Sequence, residues 1–430
     1  MTLRARIPAR VLLAALLLGP ATLAAPRTAP PGHGPAARRT RLAAALGDGY
    51  ALVFGQPITD TVRLRPHGHM MYLLGLREPG SALLLAGKRA PRLPRGRAIA
   101  FLADGRPSFV RFHGFSVRPG ATTAQRLGID AALASSDTKP TLVDLLARWL
   151  PRKTTLLVPG YRGPDEGAIR WHAETVVRRL RGARPDLRVT ALDGHLGALR
   201  AIKEPGELRA IEQAISKTVL MFEAARTHIR AGGREEHVDA ALAAAVRRAR
   251  SRAAFPFIVA AGAHSLTPHY FENRGPLRAG DMLIVDAAAT HGGYACDVTR
   301  TFPVSGKFRP RQRAVYKVLL DAHRAALDAV RPGARFKDLR TAALGVLRKH
   351  GFADGWLHAV GHHVGLDVHD PGPTRLASGM VIAVEPGVYL RQDGFGLRIE
   401  DVVAVTDDGY RLLTAALPRD PDAIERWLAR

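Results

Sequence analysis

The sequence of 430 residues contains a single cysteine, Cys296, which excludes an internal disulfide bond as a source of stability. Acidic residues are also scarce: 38 Asp and Glu stand against 63 Lys and Arg, giving a formal net charge of +25. A charge of this sign fits binding to nucleic acids or anionic membranes. However, the sequence lacks a basic block interleaved with aromatic residues, zinc-finger spacing and a homeodomain-like helix. A diffusely basic surface is therefore favoured, and no nucleic-acid partner is expected.

Long hydrophobic runs are absent after residue 25, so no membrane span is expected in the rest of the chain. The N-terminus combines basic residues, an apolar stretch over residues 11–18 and small residues up to Ala25. This pattern is typical of a signal peptide over residues 1–25, cleaved after Ala24 or Ala25. The apolar stretch is short for a membrane span, and a retained anchor is the alternative. Export to the periplasm or out of the cell is the corresponding expectation.

A chain of this length is expected to form two domains. Residues 26–40 are rich in Pro, Gly and Arg, which predicts a flexible linker. Residues 41–197 alternate short apolar strands with helices, which predicts an N-terminal α/β domain. This part contains neither a phosphate-binding glycine loop nor a nucleophile elbow. Residues 198–430 repeat the order helix, helix, strand and hairpin, which predicts an α+β domain with pseudo-two-fold symmetry and a site between its halves.

The first predicted hairpin of the second domain places two aspartates on one face. An apolar strand ends at Asp286, a turn follows at residues 291–293, and the chain returns through residues 294–298. Folding this hairpin about the midpoint of its acids sets Asp286 directly opposite Asp297. Facing carboxylates repel each other, so the pair needs a shared proton or a cation between its members.

The second predicted hairpin presents another facing pair of acids. The midpoint of Glu385 and Glu400 falls inside the predicted turn over residues 391–394. Because two such pairs occur, we favour cations over a shared proton. Four carboxylates and one imidazole match two divalent cations in charge and in ligand type.

The imidazole is expected from residues 358–370, HAVGHHVGLDVHD, which lie between the two hairpins. His362 and His363 are adjacent, so only one of them can face the cations, and the sequence alone leaves that choice open. Cys296 directly precedes Asp297, and Asp401 directly follows Glu400. Because neighbouring residues of a strand point to opposite faces, Cys296 and Asp401 should point away from the cations. We expect a buried small residue and a structural hydrogen-bonding acid at these two positions.

Taken together, several stretches carry a resemblance to a known family; they read VDAAATHGGYACDVTRTFPVSGKF, HAVGHHVGLDVHD, AVEPGVY and LRIED. In this order and spacing they resemble the metallopeptidases with the pita-bread fold, which include aminopeptidase P, prolidase, methionine aminopeptidase and the metal-free creatinases. An α/β domain followed by a pita-bread catalytic domain is the order found in aminopeptidase P and prolidase. The stretch GHMMYLLGLREPGSALLL in the front half is similar to aminopeptidase P, though more loosely.

The resemblance also implies roles for individual residues. Metal ligands fall on Asp286, Asp297, His362, Glu385 and Glu400. Contacts with the scissile carbonyl and proton transfer fall on His269, His369 and Glu385. The pocket for the proline-side residue falls on His358, Tyr389 and Arg398. The chain departs from the family pattern in a short loop between the two glutamates and in Cys296, where a small residue is usual.

The activity implied by the resemblance is a dinuclear-metal aminopeptidase. It would hydrolyse the bond between an N-terminal residue and a penultimate proline with a metal-bridging hydroxide. Mn²⁺ is the expected metal, while Co²⁺, Zn²⁺ or Fe²⁺ fit the same ligands. A prolidase restricted to Xaa-Pro dipeptides and an inactive peptide-binding pita-bread protein are the alternatives. Peptides with proline at the second position are the expected partners, and a homo-oligomer, dimer or tetramer, is the expected assembly.

Overall fold

The computed structural model describes residues 32–57, 68–103, 111, 117–135, 140–160 and 167–430. The predicted signal peptide and the first part of the predicted linker lie outside these residues. None of the helices in these ranges combines the length and the apolar character that a membrane crossing needs.

The N-terminal unit is an α/β structure built on one six-stranded sheet. Its strands are β1 (Tyr50–Phe54), β2 (Ala82–Ala86), β3 (Ala98–Ala103), β4 (Ala131–Ser135), β5 (Thr155–Val158) and β6 (Arg188–Ala191). They lie in the order β4-β3-β2-β1-β5-β6, with β1 antiparallel to β2 and parallel to β5. The helices are α1 (Gly34–Leu46), α2 (Gly68–Leu74), α3 (Ala121–Leu127), α4 (Leu142–Trp149), α5 (Gly167–Ala183) and α6 (Asp193–Ala201). The predicted α/β fold is confirmed.

Strand β1, with the sequence YALVF, is apolar throughout because both of its faces are buried. Alternate side chains of a strand point to opposite faces of the sheet. Tyr50, Leu52 and Phe54 pack into the core on one face, and Ala51 and Val53 pack into the core on the other. Because both faces are covered, the strand has no solvated side on which polar residues would alternate.

Residues 34–40 are helical, contrary to the predicted flexible linker. Helix α1 begins with Pro35 in its first turn, where the fixed φ of proline suits a helix. The Arg38 guanidinium is buried and donates to the Glu204 carboxylate at 2.7 Å. The composition of this segment suggested disorder. Composition does not reveal that Arg38 has an acidic partner, Glu204, far away in the sequence.

The predicted domain boundary at residues 197 and 198 falls inside α6. Leu196 packs into the core of the N-terminal unit, whereas Ala201 packs into the core of the second unit. The next helix begins at Pro205. The two units therefore meet at residues 202–204, and α6 lies against both.

The second unit repeats the predicted order of helix, helix, strand and hairpin. Its first half contains α7 (Pro205–Arg226), α8 (Glu235–Arg248), β7 (Ile258–Ala261), β8 (Met282–Asp286), β9 (Thr290–His291), β10 (Tyr294–Ala295) and β11 (Thr299–Pro303). Its second half contains α9 (Pro310–Asp328), α10 (Phe336–Lys349), β12 (Val381–Val384), β13 (Gly387–Leu390), β14 (Phe395–Arg398), β15 (Asp401–Val405) and β16 (Tyr410–Leu412), followed by α11 (Pro421–Leu428).

Each half holds one long hairpin whose ladder of hydrogen bonds is interrupted once. The outer ladders join β8 to β11 and β12 to β15, in sheets of order β11-β8-β7 and β12-β15-β16. The tips are separate two-stranded ladders, β9 with β10 and β13 with β14. The acidic residues singled out in the sequence lie at or beside these interruptions, where the backbone departs from regular pairing.

Candidate metal centre

The second hairpin has the predicted register. Val384 pairs with Asp401 in the outer ladder, and Gly387 pairs with Arg398 in the tip ladder. The two ladders continue one register across the interruption between them. Glu385 and Glu400 lie in this interruption, directly opposite each other. The prediction of a facing glutamate pair is confirmed.

The first hairpin differs from its predicted register. Asp286 pairs with Thr299 rather than with Asp297. The turn consists of Gly292 and Gly293, with φ of 61° and 98°, which is the backbone that a two-residue hairpin turn requires. Asp297 is therefore displaced by two positions from the residue opposite Asp286. Because side chains alternate with a period of two, both acids still point to the same face.

The five predicted metal ligands converge where the two hairpins meet. The ligand atoms form overlapping groups in which all atoms lie within 4.8 Å of one another: Asp286, Asp297 and Glu400; His362, Glu385 and Glu400; and Asp297, His362 and His369. His362 Nε2 lies 3.5 Å from Asp297 and 3.6 Å from Glu385. The structure thus brings together all five predicted ligands and adds the predicted catalytic residue His369.

The choice between the two adjacent histidines is decided by their hydrogen bonds. His363 Nε2 bonds with the Pro373 carbonyl oxygen at 2.8 Å, and its ring packs edge-on against Phe336. His362 Nδ1 bonds with the carbonyl oxygen of His363 at 3.0 Å, which leaves Nε2 directed at the carboxylates. His362 is therefore the residue able to ligate a metal.

Burial and mutual repulsion govern the charges of this cluster. Burial, together with the neighbouring carboxylates, raises the pKa values of Asp297 and Glu400 well above their usual range. Burial raises the pKa of Glu385 to about 7. Burial and His369 lower the pKa of His362 to about 3, so its imidazole is neutral, which is the form that binds metals.

Several oxygen atoms of the cluster are buried without a hydrogen-bond partner among the described residues. They are Asp286 Oδ1, Asp297 Oδ1 and Glu400 Oε1. Buried polar atoms of native proteins nearly always have a partner, and an orphaned atom requires an explanation. Carboxylate oxygens and one neutral imidazole form a suitable donor set for divalent cations. The residues therefore fit the pair of metal ions that the sequence predicts.

The raised pKa values predict how pH changes the stability of the metal-free protein. An acid whose pKa is higher in the folded state binds its proton more tightly there, so folding weakens as pH rises through that pKa. For Glu385 the window extends from its ordinary value of 4.5 to about 7. The lowered pKa of His362 acts in the opposite direction below its ordinary value of 6.5, because the unfolded imidazole binds the proton more tightly there. We therefore expect thermal denaturation in chelator to show a midpoint that falls between about pH 6.5 and about pH 8. Divalent cations should remove most of this fall, and a metal-free midpoint that rises over this range would contradict the assignment.

The residues predicted to line the proline pocket form one hydrogen-bonded chain beside the cluster. Arg398 Nη1 donates to the Tyr389 hydroxyl at 3.1 Å, and His358 Nε2 lies 2.9 Å from the same hydroxyl. Arg398 Nη2 also donates to Asp286 Oδ2 at 2.5 Å. Arg398 thus holds a predicted ligand in place, a role that the sequence did not indicate.

The two predicted catalytic histidines lie at the solvent side of the cluster. The ring centroid of His369 is 4.0 Å from that of His362. His269 stacks on Phe271 with ring centroids 5.8 Å apart. Arg398 Nη1 donates to the carbonyl oxygen of Pro268 at 3.2 Å, so His269, the next residue, lies beside the site.

The sequence analysis did not identify Thr299 and Arg300 as the residues that hold Glu400 in place. Thr299 Oγ1 donates to Glu400 Oε2 at 2.9 Å, and the buried Arg300 donates to the Glu400 carbonyl oxygen at 2.5 Å. Arg300 also pairs with Asp401 at 2.7 Å, which confirms Asp401 as a structural acid. The available signal was a charged residue inside an otherwise uncharged strand, TRTFP. Cys296 is buried with Sγ 3.0 Å from Thr218 Oγ1, in agreement with its predicted direction.

The α/β unit, the duplicated hairpin domain and the cluster of ligands define a metallopeptidase. Residues 209–407 match the model of metallopeptidase family M24. The chain is 30% identical to the Xaa-Pro aminopeptidase of Haemophilus influenzae over 91% of this chain and 96% of that protein. It is 36% identical to Xaa-Pro aminopeptidase 1 of Streptomyces coelicolor, but that match covers 54% of this chain and only 55% of the relative.

Solved structures agree over nearly the whole length. The aminopeptidase PepP of Pseudomonas aeruginosa superposes with a TM-score of 0.79 at 27% identity, over 92% of this chain and 97% of that one. Zinc-substituted aminopeptidase P of Escherichia coli gives a TM-score of 0.78 at 25% identity, over 91% and 97%. This chain belongs to metallopeptidase family M24, in the group of the Xaa-Pro aminopeptidases. The predicted family, the pita-bread fold and the enzyme class, a metallo-aminopeptidase, are confirmed.

Proposed function

We propose that this protein releases the N-terminal residue from peptides whose second residue is proline. The clustering of His362 with four carboxylates, three of them buried and each with an oxygen atom that lacks a partner among the described residues, carries the proposal. Two divalent cations would supply there a bound water of lowered pKa, oriented toward a carbonyl carbon. Asp297 and Glu400 each belong to two of the overlapping ligand groups, which supports them as the carboxylates shared by both cations.

We propose Mn²⁺ as the metal, with Co²⁺, Zn²⁺ and Fe²⁺ suited to the same oxygen and nitrogen donors. The aminopeptidase P of Escherichia coli has been solved in a zinc-substituted form with product. This observation supports a site that accepts more than one divalent ion.

The chain's own residues handle the carbonyl oxygen and the proton. His369 and His269 lie at the solvent side of the cluster, where an N–H group can donate to the oxygen that gains charge during attack. Glu385, whose Oε1 lies 3.6 Å from His362 Nε2, would take a proton from the attacking water and pass it to the leaving proline nitrogen.

A dedicated proline pocket answers a chemical difficulty of the substrate. The nitrogen of an Xaa-Pro bond carries no hydrogen, so this bond cannot donate to an enzyme that binds its substrate as an extended strand. The wall formed by His358, Tyr389 and Arg398 offers a buried aromatic ring beside the cluster. An aminopeptidase P of Escherichia coli has been solved with the inhibitor Pro-Leu, which supports recognition of a proline residue by this kind of wall.

A prolidase is the second candidate, because the chain is also 34% identical to the Xaa-Pro dipeptidase of Pyrococcus furiosus over 52% of this chain and 66% of that protein. The inactive peptide-binding alternative is disfavoured by the complete set of ligands. Aminopeptidase and prolidase differ in whether a residue must follow the proline.

A matched set of peptides tests the proposal. We expect Mn²⁺-loaded protein to release the first residue from Xaa-Pro-Xaa tripeptides, to act weakly on Xaa-Pro dipeptides, and to leave Xaa-Ala-Xaa tripeptides intact. Release of the free amino acid is followed by mass spectrometry. Cleavage of dipeptides alone would establish the prolidase, and cleavage of none of these peptides in the presence of metal would overturn the proposed activity.

Location and assembly are proposed on the sequence and on the resemblance. The pattern of residues 1–25 supports export to the periplasm or beyond the cell, and N-terminal sequencing of exported protein should find Ala25 or Pro26 first. A homo-oligomer, dimer or tetramer, stays a prediction that light scattering would check.

A further inference from the structure

A buried cluster of charges joins the N-terminal unit to the loop that carries His369. Arg200, on α6, is only 2% exposed and donates to Asp367 at 2.6 Å and to His69 Nδ1 at 2.8 Å. Its guanidinium also pairs with Asp370, which is buried as well. Lys203 completes the cluster through a bond of its ammonium group to Asp370 at 3.2 Å.

The loop over residues 365–370 is bonded to the metal-ligand segments on its other side. Asp370 N donates to the carbonyl oxygen of His363 at 2.9 Å, next to His362. Ala295 N donates to the carbonyl oxygen of Gly365 at 2.7 Å, two positions before Asp297. The loop therefore spans from the N-terminal unit to two of the three segments that supply ligands, the first hairpin and the segment that contains His362.

The cluster is packed tightly from the N-terminal side. Gly68, at the start of α2, lies so close that a Cβ atom there would sit 2.7 Å from Arg200 Nη2 and would collide with the Asp367 carboxylate. Leu366 packs against the hydrophobic cores of both units. A change on α2 would therefore be transmitted to the loop without altering any residue of the loop.

We propose that Arg200, Lys203, Asp367 and Asp370 form an interdomain clamp that positions His369 over the metal cluster. Arg200 is the central positioning residue: it touches neither substrate nor metal ligand, and acts by holding the two acids that flank His369. This inference rests on the proposed function for its catalytic consequence. Its structural part, the fixing of residues 365–370 by the N-terminal unit, is independent of that function.

The energetics of buried charges make the clamp suited to positioning. Burying paired charges adds little net stability, because desolvation offsets the attraction between them. What such a network does provide is one defined arrangement, since each donor and acceptor has few alternative partners in the interior. A catalytic group displaced by about 1 Å can lose on the order of 10²-fold in rate, so a loop that carries such a group benefits from this restraint.

The first test measures the loop itself. Gly68→Ala is expected to displace the Arg200–Asp367 pair, and Asp367→Asn removes one charge at a half-exposed position. Gly194→Ala is the matched control, because a Cβ at Gly194, on the same helix as Arg200, would have no neighbour within 4 Å. Hydrogen exchange of full-length protein, followed by mass spectrometry, should show residues 363–370 exchanging faster in both test variants by a factor of about ten or more. Exchange equal to that of Gly194→Ala would overturn the clamp.

The second test measures coupling to His369. With Xaa-Pro-Xaa tripeptides, Gly68→Ala should lower kcat by about 10- to 10²-fold while KM stays within about twofold, because the loss concerns the transition state. His369→Ala should lower kcat as well, and the double variant should be no slower than His369→Ala alone. Equal losses from Gly68→Ala in both backgrounds would show that Gly68 acts through general damage to the fold, which would overturn positioning through His369.

The outcomes separate this inference from the proposed function. Faster loop exchange in a protein that hydrolyses none of the Xaa-Pro peptides would retain the interdomain clamp and overturn the proposed activity. An active enzyme whose His369→Ala variant keeps the wild-type rate would retain the activity and overturn this inference.

Discussion

Replacing Asp297 by asparagine is expected to abolish metal-dependent peptide hydrolysis, with a fall in kcat/KM of about 10³-fold or more. A catalytic metal stabilises the transition state by several kcal/mol, and every 1.36 kcal/mol corresponds to a factor of about ten. Asp297 is buried at 5% exposure and belongs to two of the three overlapping ligand groups, so its loss affects both expected cation positions. Glu400→Gln should behave in the same way for the same reason. The measurement is tripeptide hydrolysis together with metal content.

The same substitution should stabilise the protein when no metal is present. Burial and the neighbouring carboxylates disfavour the charge on Asp297, and an amide at this position removes that repulsion. Thermal denaturation in chelator should therefore give a higher midpoint for Asp297→Asn than for wild type near pH 8. Asp321→Asn, an exposed acid on α9, is the control and should leave both activity and midpoint unchanged. An Asp297→Asn protein that binds two metal ions and hydrolyses tripeptides at the wild-type rate would contradict the assignment.

Replacing Arg300 by methionine is expected to destabilise the catalytic unit by about 3–5 kcal/mol, because it leaves the buried Asp401 carboxylate without its main partner. Arg300 is fully buried and also donates to the Glu400 carbonyl oxygen at 2.5 Å. The activity should fall by a larger factor than the fraction of folded protein does, because Glu400 also loses the hydrogen bond from Arg300 to its carbonyl oxygen. Urea denaturation and tripeptide hydrolysis, measured side by side, provide the test.

Two companion variants show whether burial is the cause. Arg311 forms an exposed pair with Asp393 at 2.8 Å, and Arg311→Met should cost less than about 1 kcal/mol. Adding Asp401→Asn to Arg300→Met should recover part of the lost stability, because the unpaired charge disappears with its partner. An Arg300→Met protein as stable as Arg311→Met would show that the buried pair is not needed.

The metal ligands were predictable because local patterns determine them. Glu385 and Glu400 were placed correctly since the turn between them, at Arg391 to Gly394, lies at their midpoint. Asp286 and Asp297 were assigned the wrong partners because the turn uses only Gly292 and Gly293, which shifts the axis of the hairpin. The predicted partner of Asp286 was wrong by two positions. A shift of two positions keeps a side chain on the same face of the strand, so the predicted ligand set was unaffected.

Other features depend on contacts that a linear reading does not reveal. Arg38, in the segment predicted to be a linker, has its carboxylate partner 166 positions away, and Arg200 has Asp370 170 positions away. Strand β4 carries little sequence signal, because its sequence, AALAS, lacks the β-branched and aromatic residues that are typical of strands. It forms through parallel pairing with β3 at the edge of the sheet.

The measurement that tests the central claim most directly is a titration of metal-stripped wild-type protein with Mn²⁺ during hydrolysis of an Xaa-Pro-Xaa tripeptide. The ligand cluster predicts no activity without metal, a rise on addition, and a plateau at about two ions per chain. The pH-dependent instability of the stripped protein should disappear over the same range of added metal. Full activity in the stripped protein, or a plateau reached with no ion bound at Asp297 and Glu400, would contradict the account.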